Sequence, residues 1–195
     1  MFDKFAVIDF FESLALGWDE GQILDTGIIN FILDNAEVNA SKTVLDVACG
    51  TGVLVPFYLE RGVEKVTAVD ISPEMIRIGA RNHQQPQVSF LLGDIESLDV
   101  AGPFDCVVVF NSSPHFPDAE RLVSRLAGLL ASGGRLTVAH SMSRAALDQH
   151  HAGSASKVSV RLMPAEDLSQ IFVRYLDVSV VIDDNRIYQV VGVKS

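Results

Sequence analysis

The sequence predicts a three-layer α/β fold in which a mostly parallel sheet is covered by helices on both faces. Three observations carry that expectation. Short apolar runs of strand length, at 44–47, 66–69, 88–92, 104–110 and 135–140, alternate with stretches of helical periodicity. The run Phe104-Asp105-Cys106-Val107-Val108-Val109-Phe110 is hydrophobic throughout, as suits a parallel strand buried on both faces. The first strand feeds straight into Gly50-Thr51-Gly52, a tight turn into a helix, at the carboxyl edge where open sheets bind ligands.

Composition narrows the function. At 195 residues, 48% of them hydrophobic, the chain reads as one domain with a substantial core. It has no apolar run of membrane-spanning length, and Asp3 and Glu12 interrupt the apolar start that would otherwise resemble a signal peptide, so a cytoplasmic protein without a membrane anchor is expected. The two cysteines, Cys49 and Cys106, fit that compartment as free thiols. A net charge of −10 with no basic stripe disfavours nucleic acid as a partner.

Taken in order, residues 5–16 form an amphipathic helix with Asp9, Glu12 and Ser13 on one side, closed by Gly17. Trp18-Asp19-Glu20 links it to a second helix over 21–36, where Leu24, Ile28, Phe31 and Ile32 share a face opposite Gln22, Asp25, Asn30 and Asp34. Val44, Leu45 and Val47 make the first strand, and Asp46 adds a carboxylate near its end. Without a Cβ at Gly50 or Gly52 the backbone can meet a ligand directly. A dinucleotide fingerprint would carry a third glycine where Val55 stands, and Asp46 ahead of the loop repels a pyrophosphate but suits a cation.

The helix over 53–61 tolerates Pro56 in its first turn and ends at Arg61-Gly62. Asp70 closes the second strand, 18 residues past Gly52, where nucleotide folds hold ribose hydroxyls; this marks the ligand as a riboside without choosing between nicotinamide and adenosylmethionine types. Ser72-Pro73-Glu74 is a capped helix start, and the helix runs to Arg81. Strand three ends in Gly93-Asp94-Ile95. Strand four delivers Asn111-Ser112-Ser113-Pro114-His115-Phe116 to the carboxyl edge, the expected reaction centre. Pro117 and Asp118 start a helix through Leu122, Val123, Leu126, Leu129 and Leu130, and Ser132-Gly133-Gly134 turns it into strand five. A short helix over 143–151 precedes Ala152-Gly153-Ser154-Ala155-Ser156, a segment composed like a lid within 141–163. A further helix from Pro164 to Phe172 leads to two apolar runs, 175–182 and 186–193, close enough for an antiparallel hairpin.

The stretch Asp46-Val47-Ala48-Cys49-Gly50-Thr51-Gly52 after a hydrophobic strand resembles the first motif of the class I S-adenosylmethionine-dependent methyltransferases. Asp70, the Gly93-Asp94-Ile95 element and the glycine-glycine turn before strand five resemble that family's later markers, in the right order. Ala48 departs from it, standing where glycine is usual. The resemblance implies a doubly wound, seven-stranded sheet ending in an antiparallel hairpin strand, formed as one domain over 1–195 with the N-terminal helices of 1–40 folded against it. It implies S-adenosylmethionine as cofactor. Asp46, Ala48, Gly50 and Gly52 would hold it at the loop, with Asp70, Ile71 and Met75 beside strand two. Asp94 would accept from the adenine amine, the Ile95 N–H would reach a ring nitrogen, and Asn111 would close the site.

Methyl transfer from a sulfonium is an in-line displacement that needs alignment and dryness more than a nucleophilic side chain. The acceptor is read as a small molecule. His115 is the candidate base and His140 a second, each with substrate orientation or packing as its alternative; His150 and His151 stand near the same edge. No zinc-like spacing appears, so no metal is assigned. Trp18 is either core or a cover over the cofactor, and Tyr188 is the other aromatic of interest. Asn111-Ser112-Ser113-Pro114 matches the Asn-Pro-Pro-Tyr element of amino-methylating nucleic-acid enzymes only in part, so that substrate class does not carry over. A nucleotide-dependent oxidoreductase and a non-catalytic adenosylmethionine-binding protein are the rival readings.

Overall fold

A computed structural model describes residues 3–20, 24–151 and 158–195. Seven strands form one sheet in the order β3-β2-β1-β4-β5-β7-β6: β1 Thr43–Val47, β2 Lys65–Asp70, β3 Val88–Leu92, β4 Phe104–Phe110, β5 Leu130–His140, β6 Asp177–Asp183 and β7 Tyr188–Val193. The first five are mutually parallel, and β7 enters antiparallel between β5 and β6. Around them lie α1 Lys4–Leu14, α2 Thr26–Asn35, α3 Val55–Glu60, α4 Pro73–Asn82, α5 Ala119–Gly128, α6 Arg144–His151 and α7 Ala165–Phe172. This is the doubly wound arrangement expected from the sequence.

The layers follow from strand alternation. Leu45 and Val47 of β1 point with Val107 and Val109 toward Leu122 and Leu126 of α5 and Phe172 of α7. Val44 and Val108 point the other way, onto Ile29, Ile32 and Leu33 of α2 and Phe57 and Tyr58 of α3. Both central strands are thus apolar on both faces, and their carboxyl edge is left to build a site. The start of the chain is tied to the sheet separately: Ala15 and Trp18 pack on Met75 and Ile78 of α4.

Two expectations need correction. The second helix starts at Thr26, because the Asp25 carboxylate caps it by accepting from the Ile28 N–H at 3.0 Å. Its buried stripe is Ile29, Ile32, Leu33 and Ala36, while Phe31 stays 48% exposed. The fifth strand begins at Leu130, which pairs with Phe104. Residues 132–134 form a bulge inside it, where Gly133 takes φ +75° and the Gly133 N–H donates to the Lys194 carbonyl at 2.7 Å. Of the lid expected over 141–163, residues 152–157 lie outside the described residues, and α6 occupies Arg144–His151. No helix among the described residues is long and apolar enough to cross a membrane.

Candidate functional site

A cavity of about 580 Å³ opens along the carboxyl ends of the parallel strands, within the size range of sites for small organic ligands. Nine of the twelve cofactor and catalytic candidates named from the sequence line it: Ala48, Gly50, Asp70, Ile71, Met75, Asp94, Ile95, Asn111 and His115. They come from four strand ends, which is why their spacing in the chain carries so little sign of their proximity.

Asp70 organises the loop. Its Oδ2 accepts from the Gly50 N–H at 2.9 Å and its Oδ1 from the Ser72 N–H at 2.9 Å, so one carboxylate joins the glycine turn to the start of α4. Burial raises its pKa on balance, and the backbone donors of Ser72, Gly50 and Ile71 offset only part of that rise. The side of Gly50 where a Cβ would stand faces Trp18, whose Nε1 lies 3.5 Å from that position, so the linker tryptophan covers the bare backbone. Asp19 fastens the same linker to the loop by accepting from the Thr51 hydroxyl.

Gly52 serves a different purpose from the one expected. It does not line the cavity, and a Cβ there would fall 2.9 Å from both His83 and Phe90, so its φ of +85° and its missing side chain serve packing beneath the loop. Ala48 holds φ +53° on the cavity wall, a left-handed conformation that costs a residue with a Cβ about 1 kcal/mol. Asn111 also takes φ +53°. Its side chain bridges to Ser141, accepting from the backbone N–H at 2.9 Å and donating to Oγ at 3.0 Å, which joins the ends of β4 and β5.

Asp46 is the main correction. The expected anchor for a cation is 2% exposed and absent from the cavity wall, because it faces Tyr58 of α3 from within β1. Its Oδ2 and the Tyr58 hydroxyl lie close enough to influence each other, yet neither completes a hydrogen bond among the described residues. Burial lifts the Asp46 pKa to about 8, the Tyr58 hydroxyl lowers it and the Asp70 charge adds to it. The acids that do reach the cavity are Asp70, Asp94 and Glu96.

A pH effect follows. Native Asp46 keeps its proton up to about pH 8, whereas the unfolded chain releases it near pH 4, so stability falls as pH rises through that window. The melting temperature of the ligand-free protein is expected to drop between pH 5 and 8, and Asp46→Asn should remove much of that drop. Parallel pH slopes for the two proteins would show that Asp46 does not carry the effect.

Residues far from any recognised motif complete the walls. Lys4 of α1 donates to Asp94 at 2.5 Å and to Glu96 at 2.5 Å, and Arg121 meets the other oxygen of Glu96 at 3.4 Å. Phe10, Phe11 and Leu14 of α1 also line the cavity. Phe11 meets His115 edge to face at 4.9 Å and Trp18 at 5.6 Å. The apolar pattern of 5–16 showed an amphipathic helix, but not that its partner is a cavity.

His115, in a one-turn 3-10 segment after β4, donates from Nδ1 to the Val158 carbonyl at 2.8 Å, since a carbonyl only accepts. In the neutral ring that leaves Nε2 as the acceptor nitrogen. His140 does not line the cavity: it is fully buried at the end of β5, with Nε2 2.7 Å from the Ser113 hydroxyl and its ring edge-on to Tyr188 at 5.8 Å. Among the described residues no group of three His, Cys, Asp or Glu side chains is placed to hold a metal ion.

The arrangement fits S-adenosylmethionine: a glycine backbone on the cavity wall at Gly50 with Trp18 over it, a carboxylate at each of the β2 and β3 ends, and more negative than positive charge among the described lining residues beside a cationic ligand. Comparison with known proteins agrees. A methyltransferase domain model matches residues 44–134. The ubiquinone biosynthesis O-methyltransferase of Xylella fastidiosa (strain M23) is 32% identical over 143 residues, covering 67% of this chain and 57% of that protein. The chain spans about half the length of the curated relatives it matches. The fold is shared with magnesium protoporphyrin IX methyltransferase from Synechocystis PCC 6803, solved with bound SAH, at TM-score 0.74, 18% identity and coverage of 99% of this chain and 100% of the other. It is shared too with the N-methyltransferase NodS from Bradyrhizobium japonicum WM9 in complex with S-adenosyl-L-homocysteine, at TM-score 0.73, 15% identity and coverage of 96% and 97%. With the strand order and the matched domain over residues 44–134 in agreement, the findings support a class I S-adenosylmethionine-dependent methyltransferase.

Proposed function

We propose that the chain transfers a methyl group from S-adenosylmethionine to a small-molecule acceptor. One observation carries this reading: Gly50, Asp70 and Asp94, at the ends of three adjacent strands, share a single cavity with Asn111 and His115 at the end of β4. Asp70, with Ile71 and Met75 around it, holds the ribose; Asp94 and Ile95 hold the adenine edge; Ala48 and Gly50 present backbone to the aminoacyl end. Asp46 and Gly52 act from beneath the loop, and His140 positions Ser113. The cofactor supplies a methyl group already activated by its sulfonium. The protein aligns it with the acceptor and excludes water, and His115 takes the acceptor's proton where there is one to lose.

The same acids count against the oxidoreductase reading, since a pyrophosphate would meet Asp70, Asp94 and Glu96 with only Lys4 as a counter-charge among the described lining residues. A net charge of −10 supports an acceptor other than nucleic acid. The buried free thiols Cys49 and Cys106 suit the cytoplasm, and the single sheet supports one methyltransferase domain over residues 1–195.

Trp18 is the chain's only tryptophan and stands on the cavity wall, so its emission should change on titration with S-adenosylhomocysteine, with matching heat by calorimetry. A nicotinamide dinucleotide should produce neither response. A response to the dinucleotide alone would overturn the assignment. Binding of adenosylhomocysteine without methyl transfer to any thiol, amine or hydroxyl acceptor would favour a non-catalytic role.

A further inference from the structure

The aminoacyl end of S-adenosylmethionine carries an ammonium and a carboxylate. Against walls that bear Asp70, Asp94 and Glu96, the carboxylate is the harder charge to hold. Laid against Gly50, it needs N–H donors to offset its lost hydration. The turn has already spent three of its own: the Cys49 N–H donates to the Val69 carbonyl at 3.0 Å, the Gly50 N–H to Asp70 at 2.9 Å and the Gly52 N–H to the Cys49 carbonyl at 2.9 Å. The Lys4 ammonium is held at the β3 end by Asp94 and Glu96. A donor from outside the turn is needed beside Gly50.

Trp18 supplies one. Its nitrogen leads the approach to the turn, with Nε1 3.5 Å from where a Gly50 Cβ would stand, and both residues line the cavity. The ring is held from other sides, edge-on to Phe11 at 5.6 Å and packed on Met75 and Ile78 of α4. Asp19, the next residue, accepts from the Thr51 hydroxyl and fixes the linker to the loop. A ring fixed in this way offers its N–H at little entropic cost, and an N–H that meets a carboxylate makes a stronger bond than one between neutral groups.

Resting on the cofactor reading above, we propose that the Trp18 indole N–H donates to the carboxylate of bound S-adenosylmethionine. The N-terminal linker thereby contributes a cofactor-binding residue that acts on the aminoacyl end and leaves adenosine recognition to Asp70 and Asp94.

Two measurements test this, each comparing S-adenosylhomocysteine with its decarboxylated analogue, which keeps the adenosine, the sulfur and the amine. Trp18→Phe keeps a ring against Phe11 and Met75 but has no N–H. By calorimetry it is expected to bind adenosylhomocysteine about tenfold more weakly than the wild type, equivalent to about 1.4 kcal/mol, and the analogue within about twofold. Equal losses for the two ligands, or no loss for adenosylhomocysteine, overturn the proposal. The second measurement uses the wild type, whose only tryptophan gives one indole N–H signal in a nitrogen–proton correlation spectrum. Saturation with adenosylhomocysteine should move that signal downfield, as an N–H gaining a charged acceptor does, and the analogue should move it much less. Equal shifts overturn the proposal even where the variant fails to fold. A wild type that binds neither ligand removes the cofactor reading itself, whereas binding without this discrimination removes only the role of Trp18.

Discussion

Asp70→Ala is expected to weaken S-adenosylmethionine binding by roughly 10- to 150-fold, the loss of a charge-assisted hydrogen bond worth about 1.5 to 3 kcal/mol. The structure gives this substitution a second consequence. Because the carboxylate also accepts from the Gly50 and Ser72 N–H groups, alanine leaves two amides of the loop without their acceptor. The variant should therefore melt at a lower temperature before any ligand is added. Asp70→Asn separates the two effects, since its amide oxygen can still accept from one N–H while the negative charge is gone. Its melting temperature should lie between the wild type and alanine, with cofactor affinity still impaired. Calorimetric affinities for the three proteins decide the matter: wild-type affinity in Asp70→Ala would mean that Asp70 only ties down the loop.

This double role of Asp70 shows what the sequence could and could not convey. Its position at a strand end after a glycine loop was legible, because strand length and loop spacing are local properties. Its grip on Gly50, 20 residues earlier in the chain, depends on how β1 and β2 lie together. Asp46 failed for a related reason. Proximity in sequence to the glycines suggested a shared site, but a residue inside a strand points to one face of the sheet, and Asp46 shares Val44's face, against α3, rather than the cavity. The strands β3 and β4 were legible to the residue because apolar runs bounded by Pro, Gly and Asp leave little freedom in register. The start of β5 was not, since Leu129 and Leu130 continue the helical spacing of α5 and only the pairing of Leu130 with Phe104 assigns it to the sheet. Nothing local marks Lys4 as the partner of Asp94, 90 residues away.

His115→Ala should lower turnover by about 100-fold or more, the lower end of what a positioned general base contributes. The cofactor is not expected to notice: His115 approaches the cavity from beyond β4, and affinity for S-adenosylhomocysteine should stay within about twofold. Two other accounts of His115 are separable from this one. If the ring only packs against Phe11, then His115→Phe, which keeps an aromatic ring at that contact, should restore most of the rate. If it only anchors the Val158 segment through Nδ1, then His115→Asn, whose amide can still donate to that carbonyl, should do the same. Under the base assignment neither rescues turnover, although both should melt closer to the wild type than alanine does. The pH profile adds a further discriminant: a base must be neutral to act, so wild-type kcat should fall on acidification, and the variants should lose that limb while keeping whatever the acceptor's own ionisation imposes. A variant with full rate and an unchanged acid limb would leave His115 as a wall residue and move proton removal to solvent.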